Sequence, residues 1–181
     1  MTTSPFEIVH VVEAGDAEAV DDALAEIFFE TAVRQTFATT AEREAYRHRW
    51  YDRYTYRCRP SIFVARDGAA RPIGYVLACP FDVRQVPSFS DIGYFRAFED
   101  LIDHYPAHLH VNVTREWQGR GVGRALVERG VAACRSAGAR GVHVVTAADA
   151  PNLGFYARCG FYEVAQRTHQ YRVLLMLGYR F

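Results

Sequence analysis

The stretch Tyr105–Gly123, YPAHLHVNVTREWQGRGVG, decides how the rest of the chain is read. Its first half alternates. Leu109, Val111 and Val113 fall on one face, and His108, His110 and Asn112 on the other, so residues 107–113 are predicted to form a strand. Its second half, QGRGVG from Gln118 to Gly123, opens a new period. Val122, Leu126, Gly130, Ala133 and Ala137 recur at three and four, which predicts a helix from about Gly121 to Ala137. A strand that turns through glycines into a helix brings unpaired backbone N–H groups to one point. The helix dipole there favours an anion, and Gly121 and Gly123 let a ligand come close to the backbone. Arg120 and Arg124 add positive charge. This arrangement suits a diphosphate.

Two better-known phosphate motifs are absent. Gly119 and Gly121 are followed by Arg124 where the dinucleotide fingerprint needs its third glycine. A Walker loop needs lysine, and the chain contains none.

Outward from this stretch the pattern alternates between strand and helix. Upstream, Ile8–Val12 reads as a strand. Asp16 is a candidate N-cap for a helix carrying Val20, Leu24, Ile27 and Phe28. A second helical region is predicted at about Thr40–Arg57, with Tyr46, Trp50, Tyr54 and Tyr56 as core or substrate-mouth aromatics. SIFVARD, GAAR and PIGYVLACPF then read as strand, turn and strand. Downstream, strand 141–147, helix 151–159, strand 162–166 and a final strand in YRVLLML complete the order. Residues 82–104 interrupt it and are expected to form an insert with a short helix in FRAFEDLID, a natural place for substrate contacts. The expected fold class is α/β, a central mixed sheet flanked by helices. It forms a single domain over 1–181, since 181 residues at 50% apolar suit one core better than two.

Bulk properties exclude several functions. The 21 arginines balance 21 acidic residues, so no broad nucleic-acid surface is expected. No apolar run approaches membrane-spanning length. The opening MTTSPFEIVH lacks the pattern of a secretion signal, and the four cysteines are widely spaced without a C-x-x-C pair. A cytoplasmic protein with reduced thiols is expected. His108, His110 and nearby Asp103 or His104 offer no diagnostic metal spacing, so no metal is expected.

Gln118, Gly121 and Gly123, at the spacing Gln-x-x-Gly-x-Gly between a strand and a helix, resemble the signature of GNAT-fold acyltransferases. GVHVVTA followed by DAPNLGFYARCGFYEV resembles the second half of that family, with a tyrosine-bearing helix and a Gly-Phe after it. The resemblance is strong from about His108 to Val164 and looser upstream. It implies the GNAT fold and transfer of an acetyl group from acetyl-CoA to an amine, by direct attack on the thioester.

The resemblance also assigns residues. The turn Gln118, Gly119, Arg120, Gly121, Val122 and Gly123, with Arg124, would hold the pyrophosphate of coenzyme A. Val111, Asn112 and Val113 would run beside the pantetheine arm, where a strand N–H would meet the thioester carbonyl. Tyr156 would donate its proton or a hydrogen bond to the leaving thiolate, against the simpler role of a buried tyrosine. Asn152 would contact coenzyme A, fix its loop or cap a helix. The candidates for the acceptor base are His110, His108, Glu116 and Asp149, with His110 taken as the catalytic or acceptor-contacting residue and Asp149 as a group that orients such a histidine or meets a cationic acceptor; a buried hydrogen-bonded network is the plainer reading.

YPAHLHVNVTREWQGRGVGRAL, with GVHVVTAADAPNLGFYARCGF, is further similar to the acetyltransferase-like domain of O-GlcNAc hydrolases and to its standalone bacterial relatives. Some of those have lost their cofactor elements, so a non-catalytic acetyl-CoA-binding or sensor domain stands as the alternative function. Retention of Gln118, Gly121, Gly123 and Tyr156 favours the enzyme. The acceptor is expected to be a small-molecule or protein amine, and a homodimer is a candidate assembly by fold analogy.

Overall fold

The structure, a computed structural model, describes residues 5–181. Seven strands are ordered β1-β2-β3-β4-β5-β7-β6. They are β1 (Phe6–His10), β2 (Ile62–Asp67), β3 (Pro72–Cys79), β4 (Ala107–Val113), β5 (Gly141–Ala147), β6 (Tyr162–His169) and β7 (Arg172–Arg180). The helices are α1 (Ala17–Thr31), α2 (Thr40–Arg47), α3 (Arg53–Arg57), α4 (Tyr94–Ala97), α5 (Glu99–Ile102), α6 (Val122–Ser136) and α7 (Leu153–Arg158). The β1-β2, β2-β3, β5-β7 and β6-β7 pairs are antiparallel and β4-β5 is parallel, so the sheet is mixed.

The chain divides into two compact units. The first runs through Leu77 and returns for His110–Gly130; the second comprises Ala78–Leu109 and Val131–Phe181.

In the first unit, α1 starts at its expected cap, where Asp16 Oδ1 accepts from the Ala19 N–H at 3.1 Å. Its stripe Val20, Leu24, Ile27 and Phe28 is buried. The second helical region spans the expected residues but is not one α-helix: His48–Asp52 forms a π turn between α2 and α3. Tyr51 and Tyr54, three residues apart across this turn, are both buried, whereas Tyr56 is exposed. Phe28 stacks on Tyr46, with ring centroids 5.6 Å apart, and Tyr51 meets Tyr75 of β3 edge-on at 5.8 Å. α2 is capped one residue earlier than Thr40, because Thr39 Oγ1 accepts from the Glu42 N–H at 3.1 Å. Gly74 of β3 lies where any side chain would collide: a Cβ there would stand 2.9 Å from the Asn112 carbonyl oxygen and 3.2 Å from Leu126. That absence of a side chain lets α6 settle against β3 and β4.

In the second unit, the predicted helix of the insert is two single turns, α4 and α5, separated by Phe98. The break turns Phe98 and Ile102 inward to pack with Tyr105 and Met176 of β7. The segment after β3 therefore supplies core. Phe89, Ile92 and Phe95 are buried as well. Cys134 and Cys159 are reduced, and burial pushes the Cys134 thiol up to about 12. Cys58 and Cys79 are disulfide-bonded, which corrects the expectation of four reduced thiols.

Candidate active site

β4 ends at Val113, and the chain passes through a 3₁₀ turn, Arg115–Trp117, before the glycines. Gln118 Nε2 donates to the Val113 carbonyl at 3.0 Å, so this side chain ties the turn back to the strand it leaves. Gly119 and Gly121 adopt φ of +74° and +86°, where a β-carbon costs about 1–2 kcal/mol. A Cβ at either would meet nothing within 4 Å, which leaves room over the backbone.

At the start of the next helix the Ala125 N–H donates to the Gly121 carbonyl, at 3.1 Å. Among the described residues, no backbone carbonyl accepts from the amides of Gly119, Arg120 or Gly121. The N–H groups of the first turn of the 15-residue α6, Val122, Gly123 and Arg124, lack intrahelical acceptors by geometry. Open space, converging donors and a helix dipole fit the pyrophosphate of coenzyme A.

The two arginines are less free than the sequence suggests. Arg120 lies over the Trp117 ring at 5.2 Å. Arg124 Nε donates to Glu128 Oε1 at 2.9 Å, an exposed i,i+4 pair that a stronger anion readily outcompetes.

Paired register between β4 and β5 covers only Ala107↔Val142 and His108↔His143. Both strands continue beyond it, β4 to Val113 and β5 to Ala147. Val111 and Asn112 are half-buried and Val113 is buried.

The polar face of β4 does not act as one row. His108 is buried in the second unit, edge-on to Phe89 and Phe95 and stacked on His143 at 5.6 Å. His110 belongs to the first unit, its ring edge-on to Tyr54 at 4.6 Å. Asn112 Nδ2 donates to Thr31 Oγ1 of α1 at 2.5 Å. Different neighbours take up each of these three side chains. Sequence reasoning also missed His143, whose Nδ1–H donates to the Tyr105 carbonyl at 2.6 Å. Burial lowers its pKa to about 4, so it is neutral at physiological pH. The alternation of GVHVVTA held no signal for it, since one histidine in an apolar strand reads like any buried position.

Asp149, Asn152 and Tyr156 lie in the second unit. Asp149 is exposed in the turn after β5. Asn152 occupies the N-cap position of α7 without a side-chain capping bond; instead its Oδ1 accepts from Thr146 Oγ1 of β5 at 3.2 Å. Asn152 thus fixes the loop to the strand, and Thr146 is its unforeseen partner. Tyr156 is buried between Phe155 and Phe161, with ring centroids at 5.1 and 5.6 Å. Burial, and then Cys159, raises its pKa well above the usual phenol range, so the hydroxyl keeps its proton. Among the described residues no three His, Cys, Asp or Glu gather to hold a metal ion, and no helix is long and apolar enough to cross a membrane.

The fold recurs in known proteins. The crystal structure of SsHAT is 24% identical with a TM-score of 0.74, over 97% of this chain and 98% of that one. A GCN5-related N-acetyltransferase from Kribbella flavida is 19% identical with a TM-score of 0.62, over 98% of each chain. The putative acetyltransferase yncA from Salmonella typhimurium, solved with its cofactor acetyl-CoA, is 18% identical with a TM-score of 0.59, over 97% of this chain and 94% of that one. At these identities the likeness speaks for the fold. The family model for Acetyltransferase (GNAT) family matches residues 22–161, from α1 through the glycine turn to the end of the Tyr156 helix. The chain therefore belongs to the GNAT acetyltransferase family, and its chemistry is acetyl transfer from acetyl-CoA.

Proposed function

We propose that the protein transfers the acetyl group to an amine, by direct attack of the amine on the thioester. The observation that carries this reading is the turn at Gly119 and Gly121, left-handed and open above its backbone at the start of α6. Acetyl-CoA, when bound, supplies an activated acyl group and an anionic diphosphate. The amides of Gly119 to Arg124 would bind that diphosphate, with Arg120 and Arg124 adding charge. Gln118 would hold the turn in shape through Val113. The backbone of Val111, Asn112 and Val113 would bond the pantetheine amides. An N–H of this strand would stabilise the negative charge that grows on the carbonyl oxygen.

Tyr156 would hold its proton on Oη and donate a hydrogen bond to the leaving sulfur. Its raised pKa makes full transfer to a thiolate uphill, so stabilisation by the bond is the better assignment. Asn152 would keep the α7 loop in place from Thr146. His110, half-buried on β4 and steadied by Tyr54, would take the proton from the acceptor ammonium, and Asp149 would attract that cation.

Release of free coenzyme A should be measured against amines, amino sugars and peptides. Tyr156→Phe should lower kcat about 10- to 100-fold, the worth of a hydrogen bond to a charged group, and leave acetyl-CoA affinity within about twofold. No release with any amine, despite tight acetyl-CoA binding, would defeat the catalytic reading and leave a sensor.

Two finer assignments belong to the same reading. The phrases around Tyr105–Leu126 and Gly141–Phe161 support kinship with the acetyltransferase-like domain of O-GlcNAc hydrolases. Exposed Tyr162, Tyr171, Val173 and Phe181 on and beside the edge hairpin β6-β7 support a homodimer, which sedimentation would test.

A further inference from the structure

The loop from α1 to α2 encloses an open hollow of about 760 Å³ within the first unit. Phe29 and Phe37 form one apolar wall, their rings edge-to-face at 5.9 Å. Glu30 and Arg43 bring one negative and one positive charge to the same hollow. The arginine is the informative residue. Its guanidinium lies over the Phe29 ring at 3.5 Å, and among the described residues no carboxylate pairs with it. The neighbouring Arg34 is paired with Glu42 of α2. Thr39 and Thr40, at the capped start of α2, complete a rim whose helix dipole also favours an anion.

Glu30 is tied to the end of β4. Its Oε1 accepts from the Arg115 N–H at 2.8 Å, which leaves Oε2 for another donor. One residue on, Thr31 accepts from Asn112 of β4. The hollow is therefore anchored through α1 to the strand along which the thioester is assigned. An amine bonded at Glu30 would stand on the β4 side of the hollow, and an anionic group on the same molecule would reach Arg43 across the phenylalanines.

We propose that this hollow selects the acceptor, and that the acceptor is an amine carrying a carboxylate or equivalent anion on an apolar or aromatic body. Glu30 accepts a hydrogen bond from its ammonium group, Arg43 pairs with its anion, and Phe29 and Phe37 cover the body between them. The inference rests on the acetyl-transfer reading for its biological meaning, but the recognition itself is separable from turnover.

The test uses a matched pair of probes, L-phenylalanine and phenethylamine, which differ by the carboxylate. Calorimetric titration of the whole chain should show L-phenylalanine binding about tenfold tighter, as expected for one partly exposed charge-assisted hydrogen bond. Arg43→Gln should erase that preference and leave phenethylamine affinity unchanged, and Arg43→Lys should restore part of it. Glu30→Gln should weaken both probes. Arg43 is exposed, so its variants are expected to fold; circular dichroism checks this. Equal binding of the two probes to wild type, binding of neither, or a preference that survives Arg43→Gln overturns the proposal. A preference for the carboxylate with no release of coenzyme A leaves the recognition standing and defeats acetyl transfer instead.

Discussion

At Gly121 the backbone and the ligand make the same demand. Its φ of +86° is open to glycine and costly for any other residue, and the space where a side chain would sit is empty. Replacing it with valine has two separable effects. The left-handed backbone of a β-branched residue should lower stability by about 1–2 kcal/mol, read from urea unfolding. The added methyl groups should also stand over the amides of the turn. Acetyl-CoA affinity should therefore fall by more than tenfold, beyond what lost stability explains, in a titration far below the melting transition. Unchanged affinity would remove the diphosphate from this turn. Gln118 differs: its side chain is spent on Val113, so its substitution should disturb the turn indirectly. Motif spacing marks both residues alike, and only contacts separate the one that makes room from the one that braces.

At the scale of elements, the helix starts show how far local chemistry reaches. Asp16 is read as a cap from the sequence and caps α1, because an Asp before an amphipathic run has few other uses. The start of α2 is read at Thr40, yet Thr39 makes the bond. Adjacent threonines are chemically equivalent, and the choice falls to backbone dihedrals. Thr39→Ala should cost about 1 kcal/mol of stability, and Thr40→Ala clearly less, in parallel thermal melts. The π turn at His48–Asp52 is a deeper omission. The sequence reading singles out Tyr46, Trp50, Tyr54 and Tyr56, whereas the structure buries Tyr51 together with Tyr54 and exposes Tyr56. No propensity announces such a turn, because burial against Phe28 and Tyr75 is what stabilises it. The insert shows the same limit. FRAFEDLID is read as one helix and is two, since Phe98 and Ile102 are drawn toward Tyr105 and Met176.

For the whole molecule, the buried His143 of the second unit should contribute to the dependence of stability on acid. His143 has a pKa of about 4 against an ordinary 6.5, mainly because burial disfavours its charged form. The unfolded chain therefore binds the extra proton first as pH falls. The stabilising contribution of neutral His143 is complete above about pH 6.5 and is lost progressively down to about pH 4. The integrated loss is on the order of 3 kcal/mol for a shift of that size. Unfolding free energies measured between those pH values should show this slope, and His143→Gln should flatten it. A wild-type profile flat over the interval would contradict the burial assigned to His143.

The sequence by itself determined the class of fold, the strands β4 and β5, the glycine turn with its helix, and the family. These rest on near-neighbour chemistry: period-two alternation, period-3.6 stripes, and glycines at a turn that nothing else satisfies. Only the tertiary structure decided which neighbours each side chain of β4 meets, that Asn112 holds α1, that Asn152 is fixed by Thr146, and that Arg43 lies over Phe29 at a hollow, with no carboxylate paired to it among the described residues. Those contacts range from six residues apart, Thr146 with Asn152, to 81 apart, Thr31 with Asn112. Their proximity is set by packing of the whole sheet and its helices, which no local pattern records.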